Sequence, residues 1–366
     1  MARKIVSIIG ARPQIIKSAA LHREWLKNYQ DKIEEVVIHT GQHYDENLSA
    51  VFFKELQLPL PKFNLEIGSG NHGAQTGKML QGIEEILLSE KPDMVVVYGD
   101  TNSTLAGALA ASKLQIPVAH IEAGLRSFNK KMPEEINRIL TDNCSDLLFT
   151  PTSVATQHLV KEGFDVFNQV VECGDIMYDN ALHFGKQIDS SKAKEKFIFC
   201  TIHRDFNTVS AERLMELLQA VKAIAALEKC QVIFPIHPRT EKLISSDIAL
   251  KNLLESDVFQ AEQPLSYLET IAALKQAELV ITDSGGLQKE ASFFNQPCLV
   301  LRHETEWEEL IASKKAFLAG NEFDTILTAY HEMKTNFNPE EVHFYGHGNT
   351  ATTICSTIMT FLENKD

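Results

Sequence analysis

Short continuous apolar runs alternate along the chain with segments whose apolar positions recur at helical spacing. KIVSIIG (4–10) leads into a helical pattern from Ile15 to Lys27, and EEVVIHTG (34–41) leads into another from Leu48 to Leu56. MVVVYGD (94–100), IPVAHIEAG (116–124) and DLLFTPT (146–152) continue the series, each next to a helical stretch. Runs without strict alternation are what parallel strands show when helices cover both of their faces. A more polar segment from Asp175 to Lys196 interrupts the series, and KFIFCTIH, CQVIFPIH, AELVITDSGG and QPCLVLR then restart it. The pattern predicts an α/β protein of two doubly wound domains facing each other. Domain boundaries are expected at 1–174 and 175–349. A helix from about Thr352 to Asn364, after the Gly-containing turn Tyr345–Asn349, is expected to pack back on the first domain.

Composition narrows the classes of partner. The 366 residues carry 35 Lys plus Arg against 49 Asp plus Glu, a net charge of −14. That balance argues against nucleic acid and against an anionic membrane surface, although a local cationic site remains compatible with it. Cys144, Cys173, Cys200, Cys230, Cys298 and Cys355 are scattered, mostly within apolar runs, and lack metal-binding spacing. With no secretory leader and no apolar stretch near ~18 residues, the expectation is a cytoplasmic protein with free buried thiols.

The candidate chemistry gathers where strands end. Arg12, Asp100, Glu122, His203 and Glu290 all follow apolar runs, and in an open α/β sheet such positions line one crevice. GARPQIIK (10–17) places Arg12 at a helix start beside Pro13, a geometry suited to phosphate, and Lys17 closes the motif as a second cation for substrate. The alternative is a surface arginine on an ordinary turn. DSGGLQKE (283–290) offers Ser284, Gly285 and Gly286 as a phosphate floor and Glu290 as an acceptor for ribose hydroxyls; the alternative is a capped tight turn. No GxGxxG is present, which weakens a dinucleotide reading.

Asp100 is either the cap of the helix beginning TNST or a catalytic acid. Glu122 interrupts an apolar strand and is followed by small residues, so it needs a partner or a task. Glu134 and Glu135 open a helix after Pro133, where the helix dipole alone would favour them. His203–Arg204 and His237–Arg239 close two strands in the same half, which points to ligand contact. His39, His43 and His120 show no metal spacing, and no metal or cofactor is expected.

Taken together, GARP, TGQH, YGDTNST, HIEAGLRS, MPEEINR, TIHR, PIHPRT and DSGGLQKE resemble the non-hydrolysing UDP-N-acetylglucosamine 2-epimerase family over essentially the whole chain. The resemblance implies two Rossmann-like domains in a GT-B-like arrangement, a UDP-sugar in the cleft between them, and a homodimer. It implies that Arg12 contacts diphosphate, that Ser284, Gly285 and Gly286 complete the phosphate floor, and that Glu290 holds ribose. Asp100, Glu122, Glu134 and His203 would bracket the sugar, with His237 lining the nucleotide side; Arg239 remains a candidate substrate contact from its strand-end position.

Several residues depart from the common pattern. Ala11 and Gln14 replace the usual Thr and Glu of the opening motif, and Trp307 replaces an Arg. QHYDENL and the SFNKKMPEE loop look more like the branch acting on UDP-2,3-diacetamido-2,3-dideoxy-glucuronate, for whose carboxylate Lys130, Lys131 and Arg302 are candidate contacts. Of the allosteric region of some family members, only Gln42 and His43 match. The competing readings are a GT-B glycosyltransferase, a hydrolysing epimerase and a catalytically silent nucleotide-sugar sensor. The family implies a role in surface polysaccharide precursor synthesis.

Overall fold

The computed structural model describes residues 2–42, 52–164, 169–188 and 195–364. It divides into two compact units, one of Met1–Asn180 with His343–Asp366 and one of Ala181–Val342; the division falls within the helix Ile176–Gly185.

In the first unit the described strands are β1 (Arg3–Ile9), β2 (Ile33–His39), β3 (Phe63–Asn64), β4 (Met94–Tyr98), β5 (Val118–Ile121), β6 (Leu147–Thr150) and β7 (Gln169–Glu172). They form one parallel sheet in the order β3-β2-β1-β4-β5-β6-β7. Alternate residues of the central strands, Val6 and Ile8, Val36 and Ile38, Val95 and Val97, point to one face. There they meet Met79, Ile83 and Leu87 of the helix His72–Glu90 and the small residues Ala106, Ala110 and Ala111 of the helix Asn102–Lys113. The small residues let that helix lie close: a Cβ at Gly107 would come within 2.7 Å of Ile8. The helix Thr350–Glu363 packs on the helix Arg12–Asn28, and its first turn is held by Asp179, whose carboxylate accepts the Thr350 and Ala351 N–H groups at 3.1 and 2.8 Å.

The second unit repeats the plan with β8 (Phe197–Thr201), β9 (Gln231–Pro235), β10 (Phe259–Glu262), β11 (Leu279–Thr282), β12 (Cys298–Val300) and β13 (Ala316–Leu318). The order is β10-β9-β8-β11-β12-β13, again parallel. Leu214, Leu217, Leu218 and Val221 of the helix Ala211–Glu228, with Ile326 and Tyr330 of the helix Phe323–Asn336, cover Ile198, Cys200, Val232 and Phe234.

Both sheets reverse direction of growth once, between β1 and β4 and between β8 and β11. Such a reversal opens a crevice at the carboxyl ends of the two central strands, because the helices that follow them diverge to opposite faces. Arg12 and Asp100 flank the first crevice, and His203 and Ser284 flank the second. The helix expected from Leu48 lies partly outside the described residues, as do His43 and most of the SSKAKEK run. Among the described residues no helix is long and apolar enough to cross a membrane.

Candidate active site

At the β1–β4 crevice the loops are locked by Gln14. Its amide oxygen accepts the Gly10 and Ala11 N–H groups at 2.8 and 3.0 Å, while its nitrogen donates to the Tyr98 carbonyl at 2.8 Å and to the Thr104 hydroxyl at 2.9 Å. The amide therefore stitches the β1 turn to the β4 turn with both of its ends. A glutamate could accept from the first loop but would set an anion against the Tyr98 carbonyl. Arg12 is exposed in the first helical turn, its guanidinium 4.3 Å from the centre of the Phe52 ring.

Asp100 does not cap the following helix. Thr101 occupies that position, its hydroxyl accepting from the Thr104 N–H. The Asp100 carboxylate faces Arg138, which places Nε at 3.0 Å and Nη2 at 2.9 Å from the same oxygen, Oδ2. Burial pushes the Asp100 carboxyl up from its ordinary value; Arg138 and Lys17 oppose the rise and Glu122 adds to it. Arg138 also donates from Nη1 to Glu135 at 2.7 Å. Glu135 is buried, and burial would raise its carboxyl, but hydrogen bonds from Ser127 and Phe128, with Arg138, hold it below the ordinary value. Glu134, one residue earlier on the same helix Pro133–Asn143, is exposed.

Glu122 follows β5 with φ +71°, a left-handed conformation that costs a non-glycine residue on the order of 1 kcal/mol. The turn directs its carboxylate onto Lys17, with Oε1 2.7 Å from Nζ. Both groups lie over Gly99: a Cβ there would sit 3.3 Å from Lys17 Nζ and 3.6 Å from Glu122 Oε1. Beneath this pair, His120 places Nε2 2.8 Å from the Gly99 carbonyl oxygen and Nδ1 2.7 Å from Asp142, and Asp142 pairs with Arg126 at 2.8 Å. His120, Asp142 and Arg126 are buried, so the turns that carry Asp100 and Glu122 rest on a fixed polar floor.

At the β8–β11 crevice the organising group is Asp283, fully buried. Its two oxygens accept the His203 N–H at 3.1 and 3.0 Å, and Oδ2 accepts the Arg204 N–H at 2.9 Å and the Asn207 amide at 3.1 Å. His203 Nδ1 is also 3.3 Å from Oδ1. Burial lowers the His203 imidazole, Asp283 opposes, and His237 adds to the lowering; the two rings lie 5.4 Å apart, tilted by 30°. His203, Arg204, Asp205, Phe206, His237 and Arg239 line a cavity of about 430 Å³. Arg239 forms an ion pair with Asp205, and His237 caps the helix Pro238–Ser246 by accepting the Arg239 N–H at 3.2 Å.

Ser284 sits at the N-cap of the helix Gly285–Phe293 and Glu290 is buried within it. Open space surrounds the position a Cβ would take at Gly286, whereas at Gly285 it would meet the Glu306 carboxylate. Glu306 is held by Arg302 at 2.9 Å, and the strap continues with Trp307 donating from Nε1 to the Gly285 carbonyl at 2.9 Å.

Arg138 and Asp283 are the contributors that strand-end reasoning did not single out. Asp283 shared the pattern of the others, a charge directly after an apolar strand. Arg138 was marked only by standing three residues after Glu135, within ion-pair reach on a helix. Among the described residues no group of three His, Cys, Asp or Glu side chains is placed to hold a metal ion.

Residues 26–359 match the family model for UDP-N-acetylglucosamine 2-epimerase. The chain is 46% identical over 367 residues to a UDP-N-acetylglucosamine 2-epimerase homolog of Methanococcus maripaludis, covering 97% of this chain and 99% of that protein. It is also 46% identical, over 355 residues, to the UDP-2,3-diacetamido-2,3-dideoxy-D-glucuronate 2-epimerase of Pseudomonas aeruginosa, with 96% and 98% covered. In structure it is similar to the UDP-GlcNAc 2-epimerase of Methanocaldococcus jannaschii solved in complex with UDP-GlcNAc and UDP, with a TM-score of 0.85, 40% identity and 98% and 99% coverage.

Proposed function

The chain belongs to the UDP-N-acetylglucosamine 2-epimerase family, and from that premise we propose that it inverts C2 of a UDP-2-acetamido sugar by eliminating UDP and adding it back. The enzyme is a UDP-sugar 2-epimerase, an isomerase. Its substrate in this reading is UDP-GlcNAc or the 2,3-diacetamido-glucuronate analogue.

C2 of such a sugar has no neighbouring carbonyl to acidify its proton. Elimination avoids a free carbanion: a base removes H2, the C–H electron pair becomes the C1=C2 bond, and the C1–O bond breaks to release UDP. Re-addition reverses the bookkeeping at C1, where UDP oxygen attacks from the face it left, while a proton reaches C2 from the face opposite the one that lost H2. The reaction needs two proton-transfer groups and a cationic environment for the leaving diphosphate.

The observation that carries the reading is the pair of carboxylates at the β1–β4 crevice, Asp100 on Arg138 and Glu122 on Lys17, two acids in one place with different partners. Different partners give two carboxyl groups different proton affinities, as a base and an acid require. Glu134 is assigned with them. On the second unit His203, His237 and Arg239 are assigned to the nucleotide, with Ser284, Gly285, Gly286 and the start of their helix on the diphosphate and Glu290 on ribose. Arg12 of the first unit is assigned to the diphosphate. If the substrate is the uronate, Arg302, Lys130 and Lys131 are the proposed contacts for its carboxylate.

We further propose a cytoplasmic homodimer that supplies a surface polysaccharide precursor. The helix Pro133–Asn143 supports self-association: it buries Glu135, Asn137, Thr141 and Asp142 and exposes Ile136 and Leu140, with Met132 just before them. An apolar stripe on the outside of a helix whose inside is polar suits a second copy of the same surface. Ile136→Glu should yield monomers in light scattering; an unchanged dimer would place the interface elsewhere.

Proton NMR in deuterated buffer tests the reaction, with UDP-GlcNAc and the diacetamido-glucuronate supplied separately. Deuterium at C2 of a manno product still carrying UDP supports the epimerase and names its sugar. Release of UDP with free sugar would indicate hydrolysis, and turnover only with an added acceptor would indicate a transferase.

A further inference from the structure

Arg138 holds Asp100 in an asymmetric way. Nε and Nη2 both meet Oδ2, at 3.0 and 2.9 Å, and Oδ1 has no side-chain or backbone partner among the described residues. The guanidinium is itself anchored. Its third nitrogen is 2.7 Å from Glu135, which accepts the Ser127 N–H at 2.8 Å, the Ser127 hydroxyl at 2.9 Å and the Phe128 N–H at 2.9 Å. Asn137 adds a bond from the same helix to the Asp100 carbonyl at 2.9 Å. The planar fork thus transmits the position of a buried, immobile carboxylate to a half-exposed one.

We propose that Arg138 is a positioning residue for proton transfer: by fixing Oδ2 it leaves Oδ1 as the one Asp100 oxygen presented to the substrate, with its orientation set. This rests on the reading of Asp100 as one of the two proton-transfer groups. A carboxylate free to rotate would exchange its oxygens and lose part of the advantage of a fixed geometry. Arg138 acts on the charge of Asp100 as well as on its aim. The groups facing Asp100 are Arg138 from the helix Pro133–Asn143, Lys17 from the helix Arg12–Asn28 and Glu122 from the turn after β5; burial and Glu122 favour the protonated acid, and the two cations oppose them. Without Arg138, ionisation of Asp100 moves to higher pH.

The test uses the full-length enzyme and follows C2 deuterium exchange and turnover across pH for Arg138→Ala, Arg138→Lys and, as a control, Asp100→Asn. Arg138→Ala should lower kcat about 100-fold or more with a nearly unchanged KM. The limb of its kcat/KM profile that reports Asp100, the acid limb for a base or the alkaline limb for an acid, should move up by about one pH unit. Guanidinium chloride at millimolar concentration should restore part of kcat and return the limb, while Arg138→Lys should keep the limb near its parent position and recover less of the rate. A profile with neither limb moved, or a kcat loss that neither guanidinium nor lysine changes, overturns the proposal and leaves Arg138 a structural brace. If Asp100→Asn itself retains turnover, the failure belongs instead to the assignment of Asp100. Circular dichroism on each variant separates these outcomes from misfolding, and should Arg138→Ala fail to fold, the limb position and rate of Arg138→Lys decide.

Discussion

Replacing Asp283 by alanine removes the acceptor for the turn after β8. Two main-chain N–H groups, those of His203 and Arg204, and the Asn207 amide lose their partner at distances between 2.9 and 3.1 Å. A hydrogen bond to a charged acceptor is worth about 1.5–3 kcal/mol. The two backbone donors lie in a partly exposed turn and recover water, whereas Asn207 is fully buried and recovers less. Removing a buried anion also relieves its desolvation cost, so the net loss should be about 2–4 kcal/mol. The two tryptophans, Trp25 and Trp307, fall in different units, so the Trp25→Phe background leaves one indole to report on the second unit alone. In urea, with a slope of about 2 kcal/mol/M, the midpoint of Trp307 fluorescence should fall by about 1–2 M in Asp283→Ala. UDP affinity should fall with it, because the His203–Arg204 turn loses its anchor. A midpoint within about 0.3 M of the parent would refute the assignment of Asp283 as organiser of that turn.

Other perturbations probe the remaining features. Burial holds the His39 imidazole down to about 4, with Asn64 opposing, and Nδ1 accepts the Gly41 N–H at 3.0 Å. The unfolded chain therefore binds a proton there that the folded chain refuses. Stability should decline as pH falls from the ordinary histidine range towards 4, by at most about 3 kcal/mol from this group, and His39→Asn should flatten that slope in pH-dependent urea titrations. Glu122→Gln leaves Lys17, only 7% exposed, without its carboxylate partner, and should destabilise the first unit by about 2–3 kcal/mol. In a urea double-mutant cycle Lys17→Met should offset much of that loss, whereas strict additivity would show that the pair is not coupled. Gly124→Ala puts a Cβ 2.5 Å from the Ala155 carbonyl at φ +77°, and should lower stability by more than about 2 kcal/mol; Gly286→Ala meets open space and should leave the unfolding midpoint near the parent value.

The fold was legible because both sheets are covered on their two faces. Runs such as MVVVY and LVIT have to be parallel strands, and a charge after such a run has to stand at the carboxyl edge of a sheet. Asp100, Glu122 and His203 were found in that way. The same rule could not separate neighbours by what they touch. Asp100 and Thr101 both suit a helix cap, and only the backbone path shows that the threonine takes it. Glu134 and Glu135 differ by about 100° of helical rotation, which puts one in solvent and the other under Ser127. Gln14 reads in sequence as an acid exchanged for an amide, and its two-ended bonding to the Tyr98 carbonyl became visible only with the second loop in place. Arg138 was hidden for a similar reason, since its partner Asp100 lies 38 residues away in sequence.

The helix Thr350–Glu363 belongs to the unit that begins at Met1, while residues 181–342 form the other unit without interruption. On a ribosome the order of completion is therefore inverted. The second unit has all of its sequence before the first one does, and the helix Arg12–Asn28 waits with one apolar side uncovered until the last part of the chain emerges. At about 5–20 residues per second the interval between residue 180 and residue 350 lasts on the order of 10–30 s. Chaperone occupancy during synthesis should be greatest over that interval, and a circular permutant that starts at residue 343 should shorten it.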